Sequence, residues 1–255
     1  MIYGLYQSAQ GAEARQFQLD VVANNLANAG ANGFKRSLAV FAEFPPYDPD
    51  HQIPGDPGHN LNEHSGGMGV VGTLTDFSQG PLQETGGRFD LAITGPGFFV
   101  VSDAEGDYLT RGGSFALDPS GQLVTADHGL QVKSVQGRPI NISADAVNVS
   151  VSADGSVIET SSENTSSVVG QMALAVPDDF NTVEHLGENL YQARSTSPPG
   201  PDTRIRQGYL EGSGTNPVVE TVQMIEASRA FEANLNMIRF QEEALGRLLQ
   251  SAGGR

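Results

Sequence analysis

The chain contains no cysteine, which excludes a disulfide framework and any zinc site built on thiolates. Positive charge is scarce: 14 lysines and arginines stand against 30 aspartates and glutamates, a formal net charge of −16. A surface of that sign repels phosphate and argues against nucleic acid as a partner. No apolar run approaches the length of a membrane span, and Met1-Ile2-Tyr3-Gly4-Leu5 lacks a basic stretch followed by an apolar one. The expectation is a chain that does not insert into a membrane and is either cytosolic or exported without a cleaved signal peptide. Apolar residues make up only 38% of the sequence, yet 255 residues are enough to bury a proper core.

What is present is unevenly placed. Residues 1–40 carry three bases and two acids, residues 218–255 four bases and five acids, and residues 41–217 seven bases and 23 acids. The middle therefore holds the whole net charge, which keeps such bodies soluble and mutually repelling while near-neutral ends remain free to associate. The ends read as helices. Steps of four and three link Leu5, Ala9, Ala12, Gln16, Leu19, Ala23 and Leu26, a narrow seam that wants another helix. The same alternation gives Met224, Ser228, Phe231, Leu235, Ile238, Glu242, Leu245 and Leu249, with Val218, Val222 and Ile225 as a stripe just ahead. Two readings fit these seams: helices packed on their own domain, or helices built for contacts between subunits.

Between the ends, short apolar or alternating runs recur near every ten residues, among them Asp90–Ile93, Phe98–Val101, Tyr108–Thr110, Ser114–Leu117, Gln122–Thr125, Val147–Val151, Ser156–Ile158 and Gly170–Val176. Turn chemistry separates them: Asp118-Pro119-Ser120-Gly121 suits a type I turn and Ala153-Asp154-Gly155-Ser156 a hairpin. The fold class expected is mainly β with terminal α-helices: an all-β central body flanked by N- and C-terminal helices that pair as a coiled-coil-like assembly domain. The expected division is a discontinuous helical domain over 1–40 and 218–255, a loop or extended linker over 41–72 containing Pro45, Pro46, Pro49, Pro54 and Pro57, and a β-rich body over 73–217.

Several patterns resemble chemistry without its context. Gly67-Met68-Gly69-Val70-Val71-Gly72 has the letters of a dinucleotide loop but neither the preceding strand nor the following helix signal. Asp103, Glu105 and Asp107 imitate a calcium loop in which Tyr108 stands where glycine is required. His51, His59 and His64 lie among Asp48, Asp50, Asp56 and Glu63 at no standard ligand spacing. Solvated turns are the default for all three. No cofactor, metal or catalytic residue is assigned, and the chain is read as a non-enzyme.

Val22-Ala23-Asn24-Asn25-Leu26-Ala27-Asn28 followed by Gly33-Phe34-Lys35-Arg36 closely resembles the N-terminal signature of the bacterial flagellar rod and hook protein family. The resemblance continues through Thr75–Leu82, Asp90–Phe99, Thr110–Phe115, Gly187–Tyr191, Gln207–Glu211 and Met224–Glu232. Length and the Thr75-Asp76-Phe77-Ser78-Gln79-Gly80-Pro81-Leu82 run favour a rod subunit, proximal or distal, over a hook protein. The resemblance implies a structural subunit that self-assembles into a hollow helical rod, carries motor torque to the hook and is needed for motility. It implies a place in the periplasm-spanning basal body, export by the flagellar type III apparatus, and as partners itself and other rod or hook subunits, with peptidoglycan and outer-membrane ring proteins as further candidates. The expected inter-helix packing falls to Leu5, Leu19, Leu26, Met224, Phe231, Leu235, Ile238 and Leu245. The family motif comprises Asn24, Asn25, Leu26, Ala27, Asn28, Gly33, Phe34 and Lys35. The competing reading is an exported β-rich carbohydrate-binding protein or carbohydrate-active enzyme whose helices brace the fold.

Overall fold

A computed structural model describes residues 2–43 and 67–253; the His51, His59 and His64 group lies outside them. The described chain divides into a helical unit, residues 1–27, 37–75 and 216–255, and a β unit, residues 28–36 and 76–215.

The helical unit holds α1 (Ile2–Ala27), α2 (Pro217–Gly253) and a two-stranded ribbon of β1 (Arg36–Glu43) and β2 (Met68–Asp76). Helix α1 has no proline and is rich in alanine, and it ends where Asn28 accepts a turn hydrogen bond from the Ala31 amide (3.1 Å). Helix α2 starts sharply. Asn216 accepts from the amides of Val218 and Val219 at 3.0 and 3.5 Å, and Pro217 fills the first helical position, where no amide hydrogen is needed. Strand β1 falls at the boundary of the expected helical domain and linker, and β2 occupies residues expected partly as linker. Each strand has its partner on the far side of the proline-rich stretch, so neither carries a local hairpin signal.

The β unit begins with β3 (Leu82–Glu84), β4 (Leu91–Thr94), β5 (Phe98–Ser102), β6 (Asp107–Thr110), β7 (Phe115–Leu117), β8 (Leu123–Thr125) and β9 (Gln131–Val132). It continues with β10 (Ala146–Val151), β11 (Ser156–Ser161), β12 (Ser166–Gln171), β13 (Leu174–Pro177), β14 (Glu184–Gly187), β15 (Leu190–Gln192), β16 (Thr196–Ser197), β17 (Arg204–Gln207) and β18 (Tyr209–Glu211). The main sheet runs β14-β15-β6-β5-β9-β8-β7, with β13 also on β5 and β16 on β13. Strands β10-β11-β12 form a meander, while β17 pairs with β4 and β18 with β3. The pairings of the β unit are antiparallel: hairpins dictate this for β5–β6, β7–β8 and β10–β11–β12, whereas β17 and β18 return from far along the chain to β4 and β3.

Strand β5 shows how the core is divided. Its alternate residues Phe99 and Val101 enter a cluster with Leu91, Ile93, Phe115 and Val132, whereas Phe98 enters another with Leu109, Ala175 and Tyr191. Period two sends neighbours to opposite faces, so a strand buried on both sides reads as the continuous apolar run Phe98-Phe99-Val100-Val101.

Candidate assembly site

Helices α1 and α2 pack along one another. Asn25 Nδ2 donates to Glu220 Oε2 at 3.3 Å. A β-carbon built on Gly11 would stand 3.2 Å from the Asn234 amide, and one on Gly4 would stand 3.2 Å from Gln241 Nε2. From Asn25 to Gly11 to Gly4 the chain steps back by 14 and then 7 residues, while from Glu220 to Asn234 to Gln241 it steps forward by the same amounts. The helices are therefore antiparallel and keep a heptad register throughout α1.

This seam differs by one residue from the one the apolar spacing predicts. Ala9, Gln16 and Ala23 are exposed, whereas Gly4, Ser8, Gly11 and Gln18 are partly buried and Val22 and Asn25 buried. On α2 the buried or half-buried line is Glu220, Met224, Ala227, Phe231, Asn234, Ile238, Gln241 and Leu245; Glu242 and Leu249 face outward. Gly4 and Gly11 on this line let the backbones approach closely, and Asn25 hydrogen-bonds across it. All eight residues assigned to helix packing, Leu5, Leu19, Leu26, Met224, Phe231, Leu235, Ile238 and Leu245, are half-buried. Apolar side chains off this line stay open: Val222, Ile225, Met237 and Phe240 are exposed by 50, 49, 51 and 68%, while Leu248, exposed by 48%, lies on the seam line itself, seven residues past Gln241. Phe240 and Leu248 flank a shallow groove with Glu243, Ala244, Arg247 and Ser251.

The family motif separates into two clasps. Within the helical unit, Asn25 is fully buried: its Nδ2 donates to the Ser37 carbonyl at 2.8 Å and its Oδ1 accepts from the Ser37 amide at 2.9 Å. That pair imitates a backbone bridge and fixes the start of β1 against α1. Asn24 and Ala27 are exposed, and Leu26 and Asn28 are half-buried.

The second clasp belongs to the β unit. Gly33 has φ +71°, donates to the Glu211 carbonyl at 2.7 Å, and lies so close to Arg111 that a β-carbon would stand 2.4 Å from that residue's carbonyl oxygen. Only glycine fits there. Phe34 is buried and accepts from the Gly214 amide at 2.8 Å. Lys35, 2% exposed, donates from Nζ to Glu211 Oε1 at 2.6 Å and to the Ser78 carbonyl at 2.7 Å. Arg111 donates to Glu211 Oε2 at 3.0 Å and to the Gly95 carbonyl at 2.7 Å, with its guanidinium 5.4 Å from the centre of the Phe98 ring. The Gly80 amide completes the ring by donating to Glu211 Oε1 at 2.8 Å.

Two cations thus share one carboxylate out of water. Burial pulls Lys35 below the ordinary lysine range, against the opposing pull of Glu211, and lowers Arg111 in the same way. Burial raises the neighbouring Tyr191 phenol. The Ser78 amide and hydroxyl hold Asp76 below the usual carboxylate range. Sequence reading placed Arg111 and Glu211 inside family segments but gave them no role, because the bonds that define it span 100 and 176 residues.

The remaining motifs take structural places. Gly67–Gly72 leads into and lies along β2, with no helix after it. Asp103 accepts from the amides of Glu105 and Gly106 in a tight turn, and Asp107 pairs with Lys133 at 2.6 Å. Among the described residues no three His, Asp or Glu side chains are grouped to hold a metal.

The sequence matches the family described as flagella basal body rod protein over residues 5–35, the flagellar hook protein FlgE/F/G D1 domain over 92–159, and the C-terminal region of flagellar basal body rod FlgEFG proteins over 206–251. It is 38% identical to the flagellar basal-body rod protein FlgG of Buchnera aphidicola subsp. Schizaphis graminum, covering 98% of this chain and 100% of the relative. It is 38% identical to FlgF of Caulobacter vibrioides, covering 87% and 86%, and 32% identical to FlgG of Bacillus subtilis, covering 98% of each.

Proposed function

This chain belongs to the flagellar basal-body rod protein family and is a structural subunit of the flagellar rod, and from that premise we propose that its helical unit is the part through which it assembles. The observation that carries this reading is the open apolar face of α2, Val222, Ile225, Met237 and Phe240, which lies away from the seam occupied by α1. A helix with two apolar faces is built to pack on two sides, and each side chain it buries contributes about 1.5–3 kcal/mol. A face of α2 that meets a different surface of the next subunit makes a heterologous contact, which propagates as an open helix instead of closing. In this reading Met224, Phe231, Ile238 and Leu245 hold α2 on α1, Leu5, Leu19, Leu26 and Leu235 flank that seam, and the outer face of α2 meets other rod or hook subunits.

The finer placement we propose is a hollow rod crossing the periplasm, torque passing along it to the hook, and delivery by the flagellar type III apparatus. Peptidoglycan and the outer-membrane ring proteins are the neighbours we propose for the acidic β unit. The test is replacement of Val222 and Phe240 by Asp. Far-UV circular dichroism of the free subunit should be unchanged, whereas rods and swimming should be lost in cells carrying only the variant. Normal swimming would remove the outer face from the assembly interface.

A further inference from the structure

The geometry points to the buried Lys35–Arg111–Glu211 cluster as a positioning device that ties together, inside the β unit, every segment through which the chain enters or leaves that unit. The chain passes between its two units at residues 27–28, 36–37, 75–76 and 215–216. The β-unit segments beside these passages are 28–36, 76–80 and 211–215, and all three converge on Glu211. Segment 28–36 is held by the Gly33 amide on the Glu211 carbonyl, by Lys35 on the Glu211 carboxylate, and by the Gly214 amide on the Phe34 carbonyl. Segment 76–80 is held by Lys35 on the Ser78 carbonyl and by the Gly80 amide on the Glu211 carboxylate. Arg111 joins the cluster to the floor of the unit through Glu211 and the Gly95 carbonyl.

These bonds are shared, so the passages do not open independently. Lys35 and Glu211 each bridge all three segments: Lys35 reaches Ser78 and Glu211, and Glu211 receives Lys35, Arg111 and the Gly80 amide on its two carboxylate oxygens. Taking away the carboxylate charge leaves two buried cations without a counter-charge, the costly way to break a buried ion pair. Taking away Lys35 leaves the neutral Arg111–Glu211 pair, a milder loss. A force applied at any passage is therefore received by one buried cluster and spread into the β unit, and not by single loops.

Hydrogen–deuterium exchange of the free subunit, resolved by mass spectrometry, tests it. In Glu211→Gln, exchange should rise roughly 100-fold or more in 28–36, 76–80 and 211–215 together, while β5, β9 and α2 keep wild-type protection. Lys35→Met, which retains a balanced pair and should fold even if Glu211→Gln does not, should raise exchange in the same three segments by roughly 10-fold. Faster exchange confined to 211–215 in Glu211→Gln, or to 28–36 in Lys35→Met, would show independent segments and overturn the inference. An equal rise across β5 and β9 would overturn it too, since the cluster would then support the whole unit and not the passages.

Discussion

Gly33 and Gly30 lie three residues apart in the turn after α1, and the structure predicts opposite outcomes when each becomes alanine. Gly33 has φ +71°, and its β-carbon would meet the Arg111 carbonyl carbon and oxygen at 2.4 Å and the Gly112 nitrogen at 2.6 Å. A left-handed conformation costs an L-residue about 1–2 kcal/mol. Backbone atoms cannot rotate aside, so relieving the overlap means moving the turn by about 1 Å, at a typical overpacking cost of about 1–3 kcal/mol. The move also stretches the 2.7 Å bond from the Gly33 amide to the Glu211 carbonyl. Gly33→Ala should therefore lose about 2–5 kcal/mol. At Gly30 nothing lies within 4 Å of the added carbon and φ is not left-handed, so alanine should be neutral or stabilise by up to about 1 kcal/mol through the unfolded chain. Urea unfolding followed by far-UV circular dichroism reads both. With a slope of about 2 kcal/mol per molar, Gly33→Ala moves the midpoint of the β unit down by roughly 1–2.5 M. Equal midpoints for the two variants would refute the close approach of Gly33 to Arg111.

Two further outcomes follow from the same geometry. Phe231 lies on the line that meets α1, so Phe231→Asp should loosen the helix pair and expose residues 4–27 to limited proteolysis, whereas Phe240→Asp should leave them protected; identical digestion patterns would contradict the observed seam. The stability of the β unit should also depend on pH in the alkaline range. Lys35 is lowered in the folded state, so as pH rises through the interval between its folded value and the ordinary one near 10.5, the unfolded chain holds more protons and stability climbs. Tyr191 is raised in the folded state, so above its ordinary value of 10.0 the unfolded chain loses a proton first and stability falls. Lys35→Met should abolish the climb and keep the fall, as measured by unfolding free energy against pH; a climb that survives in Lys35→Met would contradict the burial of that amine.

Turns and helices were the legible part of this chain because their causes are local. Asp118–Gly121 closes a turn through the Gly121 amide with glycine at φ +83°, and Asp154-Gly155 closes the β10–β11 hairpin with glycine at φ +87°. The heptad line was harder to read. Leu5, Leu19 and Leu26 are the leucines of α1, and spacing alone puts them in the seam, yet the closest approach to α2 belongs to Gly4, Gly11 and Asn25. Deciding between adjacent lines requires knowing what covers the other sides of α1. One is lined by the Tyr6, Gln10 and Ala14 face with Met68 and Val70 of β2, a strand more than forty residues further along the chain. The Asn25 and Gly33–Lys35 motifs stood out in the sequence, but their chemistry lies in residues brought from positions 37, 78, 111, 211 and 220. No period in the sequence encodes those contacts.

Because the chain has no cysteine of its own, a single introduced thiol reports one place only. The most direct test of assembly through the outer face of α2 is the maleimide reactivity of Phe240→Cys in the free subunit and in purified basal bodies. Assembly through this face requires fast labelling of the free subunit, where Phe240 is 68% exposed, strong protection in the rod, and labelling restored when the rod is denatured. Equal labelling of free and assembled protein would contradict it, since α2 would then face solvent in the rod and the contacts between subunits would lie elsewhere.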